Sequence, residues 1–168
     1  MSLLHPTFQV REAAVGDIPL LAHHRGAMFR DMGRLASGGE AALVRATAEH
    51  LRDAMPRGEY LAWVAQSGAP PEPIGGAGVQ LPPILPRPGS GGDDVEFGPE
   101  AIVLNVYVEP AWRRRGVGEA LMRTVLTALA ERKVRRIVLH ASDEGRRLYE
   151  RLGFVPTNEM RLETPPAA

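Results

Sequence analysis

The sequence contains no cysteine among its 168 residues. This absence excludes disulfides, thiolate metal sites and cysteine nucleophiles, and it makes a cytoplasmic location the natural expectation. The sequence also has no run of about 18 apolar residues that could span a membrane. Its first residues, MSLLHPTFQVREA, lack the basic segment and apolar stretch of a secretory leader. These absences together predict a soluble, cytoplasmic protein.

The sequence has no surplus of either charge, because twenty Lys and Arg balance twenty Asp and Glu. A general nucleic-acid binder needs excess positive charge to neutralise phosphates, so nucleic acid is not an expected partner, and neither is a membrane. Hydrophobic residues make up 44% and charged residues 24%, which is typical of globular proteins. A chain of this length can bury one core, so residues 1–168 are predicted to form a single domain.

Hydrophobic periodicity and turn residues predict alternating strands and helices. The predicted strands are Phe8 to Glu12, 60–65, 74–80, 101–108, 136–140 and a last one formed by Phe154, Val155 and 159–163. The predicted helices are one capped by Asp17, one over 40–55, one over 116–132 and one from Asp143 to about 152. In the first helix Leu21, Arg25, Met28 and Met32 recur at helical spacing. The order predicts an α/β (α+β) fold, with one mixed sheet and helices packed on it.

One segment, residues 81–100, reads LPPILPRPGSGGDDVEFGPE. Its prolines remove backbone donors and its glycines loosen the chain, so neither a regular helix nor a central strand is expected there. Long loops of this kind are often lids or binding loops, although disorder fits the composition equally well. We therefore predict a long Pro/Gly-rich loop within the domain and leave both alternatives open.

The most informative unit is the apolar run AIVLNVYV, residues 101–108, followed by Arg113-Arg-Arg-Gly-Val-Gly118 and a long amphipathic helix. Glycines at the start of a helix let backbone N–H groups approach a phosphate, and the helix dipole favours an anion there. Nearby arginines add charge-assisted hydrogen bonds. The unit lacks the Gly-Lys-Ser/Thr of a P-loop and the third glycine of the dinucleotide fingerprint. It therefore predicts a pyrophosphate cradle of another kind.

Two motifs carry a resemblance to a known family. Arg113-x-x-Gly116-x-Gly118 after LNVYV resembles the coenzyme A signature of the GCN5-related N-acetyltransferases (GNAT), and Leu148-Tyr-Glu-Arg-Leu-Gly-Phe154 is similar to that superfamily's second signature. The resemblance implies a mostly antiparallel mixed sheet of about six to seven strands, splayed at the middle and flanked by about four helices. It also implies acetyl-CoA as co-substrate and direct transfer to a primary amine in a ternary complex.

The resemblance assigns roles to matching residues. Backbone groups of Val106, Tyr107 and Val108 would hold the pantetheine arm, and the pyrophosphate would be bound by Arg113, Arg114, Arg115, Gly116, Val117 and Gly118. Tyr149 would donate a proton to the departing sulfur, since a phenol stays protonated at neutral pH. Ser142 stands where relatives have Asn and could bind the cofactor or cap the helix. Gly145 stands where they have Ala.

The general base is not identified by the sequence. Lysine-acetylating relatives have a glutamate on the central strand, whereas this chain has Asn105, whose amide cannot accept the proton but can orient the acceptor or a water. Glu100, Glu109 and His140 are alternatives acting through water. Adjacent residues such as His23 and His24 point about 100° apart on a helix, so no metal site is expected.

Other functions remain alternatives. A non-catalytic acyl-CoA sensor could share the fold, although such a protein needs no proton donor at Tyr149. The acceptor could be a small molecule, a protein N-terminus or lysine, or a charged tRNA. A homodimer is one assembly that the sequence leaves open.

Overall fold

The computed structural model describes residues 7–89 and 91–162. The helices are α1 Ile18–Asp31, α2 Gly39–Ala54, α3 Val117–Glu131 and α4 Asp143–Arg151. The strands are β1 Phe8–Glu12, β2 Tyr60–Ser67, β3 Glu72–Gln80, β4 Arg87–Pro88, β5 Val95–Glu96, β6 Glu100–Val108 and β7 Arg136–Leu139. Within these described residues, no helix combines the length and apolar character that crossing a bilayer requires.

A five-stranded mixed sheet forms the centre of the fold, in the order β1-β2-β3-β6-β7. The first three pairings are antiparallel, and β6 pairs with β7 in parallel. The connection from β6 to β7 runs through α3, as a parallel crossover requires. The predicted mixed α/β class with four flanking helices is confirmed. The seven strands divide between this sheet and a separate two-stranded ribbon made by β4 and β5.

The helices bury their apolar stripes on opposite faces of the sheet. On one face, Leu121, Met122 and Val125 of α3 pack against β3 and β6. On the other face, Leu21 of α1 and Leu51 of α2 pack against β2. The apolar residues spaced four apart in the sequence of α3 therefore lie on its buried face. Burial of such a face is the main source of helix stability in a protein.

The predicted last strand is wrong for its described part, because residues 154–162 contain no strand. Val155, Met160 and Leu162 are all largely exposed, so strand pairing here would bury little apolar surface. Glu163 lies outside the described residues.

The segment 81–100 contains more order than a plain loop. Arg87 pairs with Glu96 across the ribbon, with 3.3 Å between Nε and Oε2. Glu96 also contacts Arg135, 3.5 Å away, just before β7. The Arg87–Glu96 pair is partly buried and holds the two ribbon strands together, whereas the Glu96–Arg135 pair links the ribbon to the start of β7.

Asp17 does not cap α1 through its side chain, contrary to the sequence prediction. Its carboxylate instead accepts a hydrogen bond from the Ala14 N–H at 2.8 Å and bonds both terminal nitrogens of Arg11. The Arg11 guanidinium holds the pKa of Asp17 below its usual value. Asp17 therefore stabilises the short 3₁₀ turn Val15–Asp17 that leads into α1.

Candidate active site

A bulge interrupts β6 near its middle. Gly78 of β3 pairs with Leu104, but Gly76 pairs with Tyr107, so β6 carries one extra residue between these pairs. Asn105 takes up the irregularity with a left-handed φ of 54°, a conformation that asparagine tolerates better than most residues.

The bulge exchanges the two faces of β6. Before it, Ala101 and Val103 belong to the core beneath α3. After it, Val106 and Val108 face that core, while Tyr107 faces α1, its ring 5.1 Å from that of His24. If the same residues followed strict alternation with no bulge, Tyr107 would instead lie beneath α3.

The sheet opens next to this bulge. Pairing between β6 and β7 ends at Val103 and Leu139, whereas β6 continues to Val108. Leu104, Tyr107 and Val108 keep their partners on β3, but residues 104–108 pair with no described residue on the β7 side. The backbone of this half-strand therefore presents an open edge, which is suited to pairing with an extended ligand.

The N-terminus of α3 lies beyond the end of this half-strand. Gly116 adopts a left-handed φ of 82° at the N-cap, and apart from the glycine and its two chain neighbours no described atom lies within 4 Å of the position of a Cβ there. The first helical hydrogen bond runs from Ala120 N to Gly116 O at 3.0 Å. The N–H groups of Val117, Gly118 and Glu119 precede that bond, so they have no partner within the helix.

Gly118 brings three elements together. A Cβ at Gly118 would lie 3.5 Å from the Leu148 side chain of α4 and 3.7 Å from Val108 of β6. The open edge of β6, the first turn of α3 and the signature helix α4 therefore meet around this glycine.

The three consecutive arginines differ in their contacts. Arg113 turns toward α1, where it bonds Asp31, and its Nε donates to the Val108 carbonyl at 3.0 Å. Arg114 and Arg115 are exposed and form no ion pair with a described residue. The Arg115 guanidinium lies 5.4 Å from the Trp112 ring. Arg114 and Arg115 are thus the two cations of the motif that remain available to a ligand anion.

Tyr149 lies on α4 with its ring mostly buried. The ring packs edge-on against Phe154 with centroids 5.9 Å apart, and burial raises the pKa of the phenol. Its hydroxyl forms no hydrogen bond with a described residue. A Cβ at Gly145 would come within 2.9 Å of the Tyr149 ring, so the absence of a side chain at Gly145 leaves room for the ring.

Ser142 caps α4 by accepting a hydrogen bond from Gly145 N at 3.2 Å.

Asn105 is buried and both ends of its amide are engaged. Its Nδ2 donates to the Tyr60 hydroxyl at 2.9 Å, and its Oδ1 accepts from Arg25 at 2.6 Å. The side chain therefore lies on the α1 face of the sheet. Any influence of Asn105 on a substrate would pass through Arg25 or through the backbone.

The three alternative bases lie in different places. Glu100, at the start of β6, pairs with Arg136, and His140 contacts Glu159. Glu109 follows β6 directly, and its Oε1 lies 3.8 Å from His24 Nε2. Of the three, only Glu109 is near the half-strand that follows the bulge.

Sequence reasoning missed three residues on the α1 face of the site, namely His24, Arg25 and Tyr60. Two glycines of β3 make room for two of them, because a Cβ at Gly76 would lie 3.0 Å from the His24 ring and one at Gly78 only 1.7 Å from the Tyr60 hydroxyl. The one available signal was Arg25, a charged residue inside an apolar stripe. No group of three metal-ligating side chains occurs within residues 7–89 and 91–162.

Comparison with known proteins identifies the family. The profile described as "Acetyltransferase (GNAT) domain" matches residues 58–156. A GCN5-related N-acetyltransferase from Ralstonia eutropha JMP134 is 34% identical, with a TM-score of 0.81 over 94% of this chain and 99% of that one. A search of curated proteins found no significant match. The chain therefore belongs to the GNAT family, and it is an acyltransferase of the acetyl-transferring type.

Two more distant structures share the fold. A predicted acetyltransferase from Clostridium acetobutylicum, solved with acetyl-CoA, is 22% identical with a TM-score of 0.79, covering 94% of this chain and 96% of that one. An aminoglycoside N-acetyltransferase in complex with CoA is 19% identical with a TM-score of 0.65, covering 96% of each chain.

Proposed function

We propose that this protein transfers the acetyl group of acetyl-CoA to a primary amine by direct attack in a ternary complex. The observation that carries the proposal is the open first turn of α3 at Gly116, next to the unpaired half of β6. Acetyl-CoA, when bound, supplies an activated acetyl group and a thiolate leaving group. The same proposal takes residues 1–168 as one domain with segment 81–100 inside it.

The chain's residues fit such a co-substrate in two ways. The N–H groups of Val117 and Gly118, together with the side chains of Arg114 and Arg115, can hold linked phosphates at the positive end of a helix. Arg113 contributes to this site indirectly. Asp31 holds its side chain, so Arg113 positions the residues beside it rather than contacting the phosphates. The open edge formed by Val106, Tyr107 and Val108 can bond the amide groups of an extended arm, as one strand bonds another.

Tyr149 is the proposed general acid. Burial raises the pKa of its phenol, so the hydroxyl stays protonated at neutral pH and can donate to a developing thiolate. Because that hydroxyl makes no hydrogen bond with a described residue, it is available to a ligand. In the same proposal Ser142 fixes the start of α4 rather than contacting the cofactor, and Asn105 is a positioning residue.

The test combines purified protein, acetyl-CoA and a panel of primary amines, and it follows release of free thiol. We expect release with at least one amine and a fall in kcat of roughly 100-fold or more for Tyr149→Phe, the usual contribution of a general acid. Equal rates for wild type and Tyr149→Phe would reject the acid role. Tight acetyl-CoA binding without release for any amine would instead support an acyl-CoA sensor.

Calorimetry tests the phosphate site separately. The double variant Arg114→Gln/Arg115→Gln should bind acetyl-CoA more weakly, and the loss should shrink at high salt. Arg52→Gln is the matched control, because Arg52 is an exposed arginine of α2, which packs on the opposite face of the sheet from α3. Equal weakening by Arg52→Gln would mean that net charge, rather than the α3 N-terminus, governs binding.

A further inference from the structure

We propose that Arg25 binds a carboxylate of the acetyl acceptor, so that the acceptor is an amino acid or another amine that carries a carboxylate. This inference rests on the proposed function and names the substrate class of the same site.

Arg25 differs from other arginines of the chain in what it contacts. It is half-buried on α1, its Nη1 donates to Asn105 Oδ1 at 2.6 Å, and its guanidinium carbon lies 4.9 Å from the centre of the Phe29 ring. Both of these partners are uncharged. By contrast, Arg87, which is also partly buried, contacts Glu96, and the more exposed Arg11 and Arg113 each contact an Asp.

No described carboxylate compensates the charge of Arg25. Burial lowers the pKa of its guanidinium, since desolvation disfavours the charged form, but a guanidinium remains protonated in proteins. Half-buried charges are ordinarily paired, because leaving them alone is costly. A ligand carboxylate would supply the missing partner.

Contacts with Asn105 and Phe29 fix the orientation of the Arg25 guanidinium. The Tyr60 hydroxyl receives the hydrogen bond from Asn105 Nδ2, which fixes the amide so that its oxygen points at Arg25. The Phe29 ring restrains the guanidinium from another side. One of its five N–H donors is used by Asn105, and the remaining fork suits the two oxygens of a carboxylate.

Arg25 lies next to the open edge of β6 that is proposed to bond the extended arm of acetyl-CoA. Asn105 is the bulged residue of β6 and precedes Val106, the first residue of the open edge. A carboxylate bound to Arg25 would thus place its attached amine next to that edge. A single uncompensated positive charge matches one carboxylate better than a doubly charged phosphate, which usually binds several donors.

The experiment compares matched amines with acetyl-CoA and the full chain. Each of several α-, β- and γ-amino acids is tested against its own carboxamide, which keeps the amine and removes the negative charge. Amine reactivity alone favours the carboxamide, because its amine is less basic. We expect the free acid to be the better substrate in at least one pair, and Arg25→Gln to raise the KM of that acid roughly 10- to 100-fold.

Two variants and one binding measurement separate specificity from damage to the fold. Arg25→Lys should recover part of the loss, since it keeps the charge but not the fork. Arg34→Gln is the matched control, because exposed Arg34 lies 5.7 Å from the same Phe29 ring and does not bond Asn105. The dissociation constant for acetyl-CoA, measured by calorimetry, should stay the same in Arg25→Gln.

The outcomes are distinguishable. Thiol release with carboxamides and simple amines, but no preference for any acid, overturns the role of Arg25 and leaves the proposed function intact. A preference for O-phosphoethanolamine over every amino acid also overturns the carboxylate assignment. An equal loss with acids and carboxamides in Arg25→Gln would show a purely structural role. No release with any amine counts against both proposals.

Discussion

The buried imidazole of His24 gives a quantitative prediction about stability and pH. His24 is 1% exposed, neither ring nitrogen has a hydrogen-bond partner among the described residues, and burial lowers its pKa from 6.5 to about 4. The charged groups near the ring are exposed His23, which lowers the pKa further, and Glu109, whose carboxylate is 3.8 Å away and too distant to bond well. The ring is therefore neutral in the folded protein at pH 7.

The sign follows from where the proton binds. Between pH 6.5 and about 4 the unfolded chain protonates His24 and the folded chain does not, so acid favours unfolding. The stability associated with a neutral His24 is fully present above pH 6.5 and is lost as the pH falls toward 4. The interval corresponds to about 3 kcal/mol of unfolding free energy, at about 1.4 kcal/mol for each pH unit.

Urea unfolding at a series of pH values from 7.5 to 4 measures this effect. His24→Leu has a side chain of similar volume that cannot titrate, and its unfolding free energy should fall about 3 kcal/mol less than that of wild type over the interval. His23→Leu is the matched control on the same helix and should keep most of the wild-type slope. Parallel pH curves for wild type and His24→Leu would refute the reasoning, as would an imidazole titration by NMR near 6.5.

Three further predictions concern the glycines and the tyrosine of the site. Gly78→Ala should lower the unfolding free energy by about 1–3 kcal/mol in urea melts, because its Cβ would collide with the buried Tyr60 hydroxyl; an unchanged melt would show that Tyr60 moves freely. Gly145→Ala should slow acetyl transfer while leaving acetyl-CoA affinity unchanged, because its Cβ displaces the Tyr149 ring; steady-state kinetics and calorimetry separate the two effects. Since Tyr149 must be protonated to act and burial raises its pKa, kcat should fall at alkaline pH only above the ordinary phenol value of about 10, and the Tyr149→Phe profile should lack that limb.

Most helices and strands could be predicted from the sequence, because their signals are local. The steps of four in α3 predicted 116–132, and the helix spans Val117–Glu131. The β-branched run predicted 101–108, and β6 spans Glu100–Val108. The prediction of the last strand was wrong because an apolar pattern identifies residues that can be buried but does not show that a partner surface exists.

The motif residues of the candidate site were also predictable, since they lie close together in sequence around Gly116 and Tyr149. The α1 face was not. Arg25 and Asn105 are 80 positions apart, and they meet only because a bulge turns Asn105 toward α1. Periodicity assumes strict alternation, so one inserted residue reverses every assignment that follows it.

That extra residue of β6 sets how far the length of this chain can vary. Inserting one residue between Asn105 and Val106 would shift the alternation that follows the bulge, driving the Tyr107 phenol into the core under α3 and Val108 toward α1. Deleting Asn105 would close the bulge and remove the amide that bonds Arg25 and Tyr60. The segment 81–100, whose ribbon contacts the residue before β7 through the Glu96–Arg135 pair, imposes no such count. We therefore expect natural or engineered insertions and deletions to be absorbed before Glu100 and rejected from there to the start of α3.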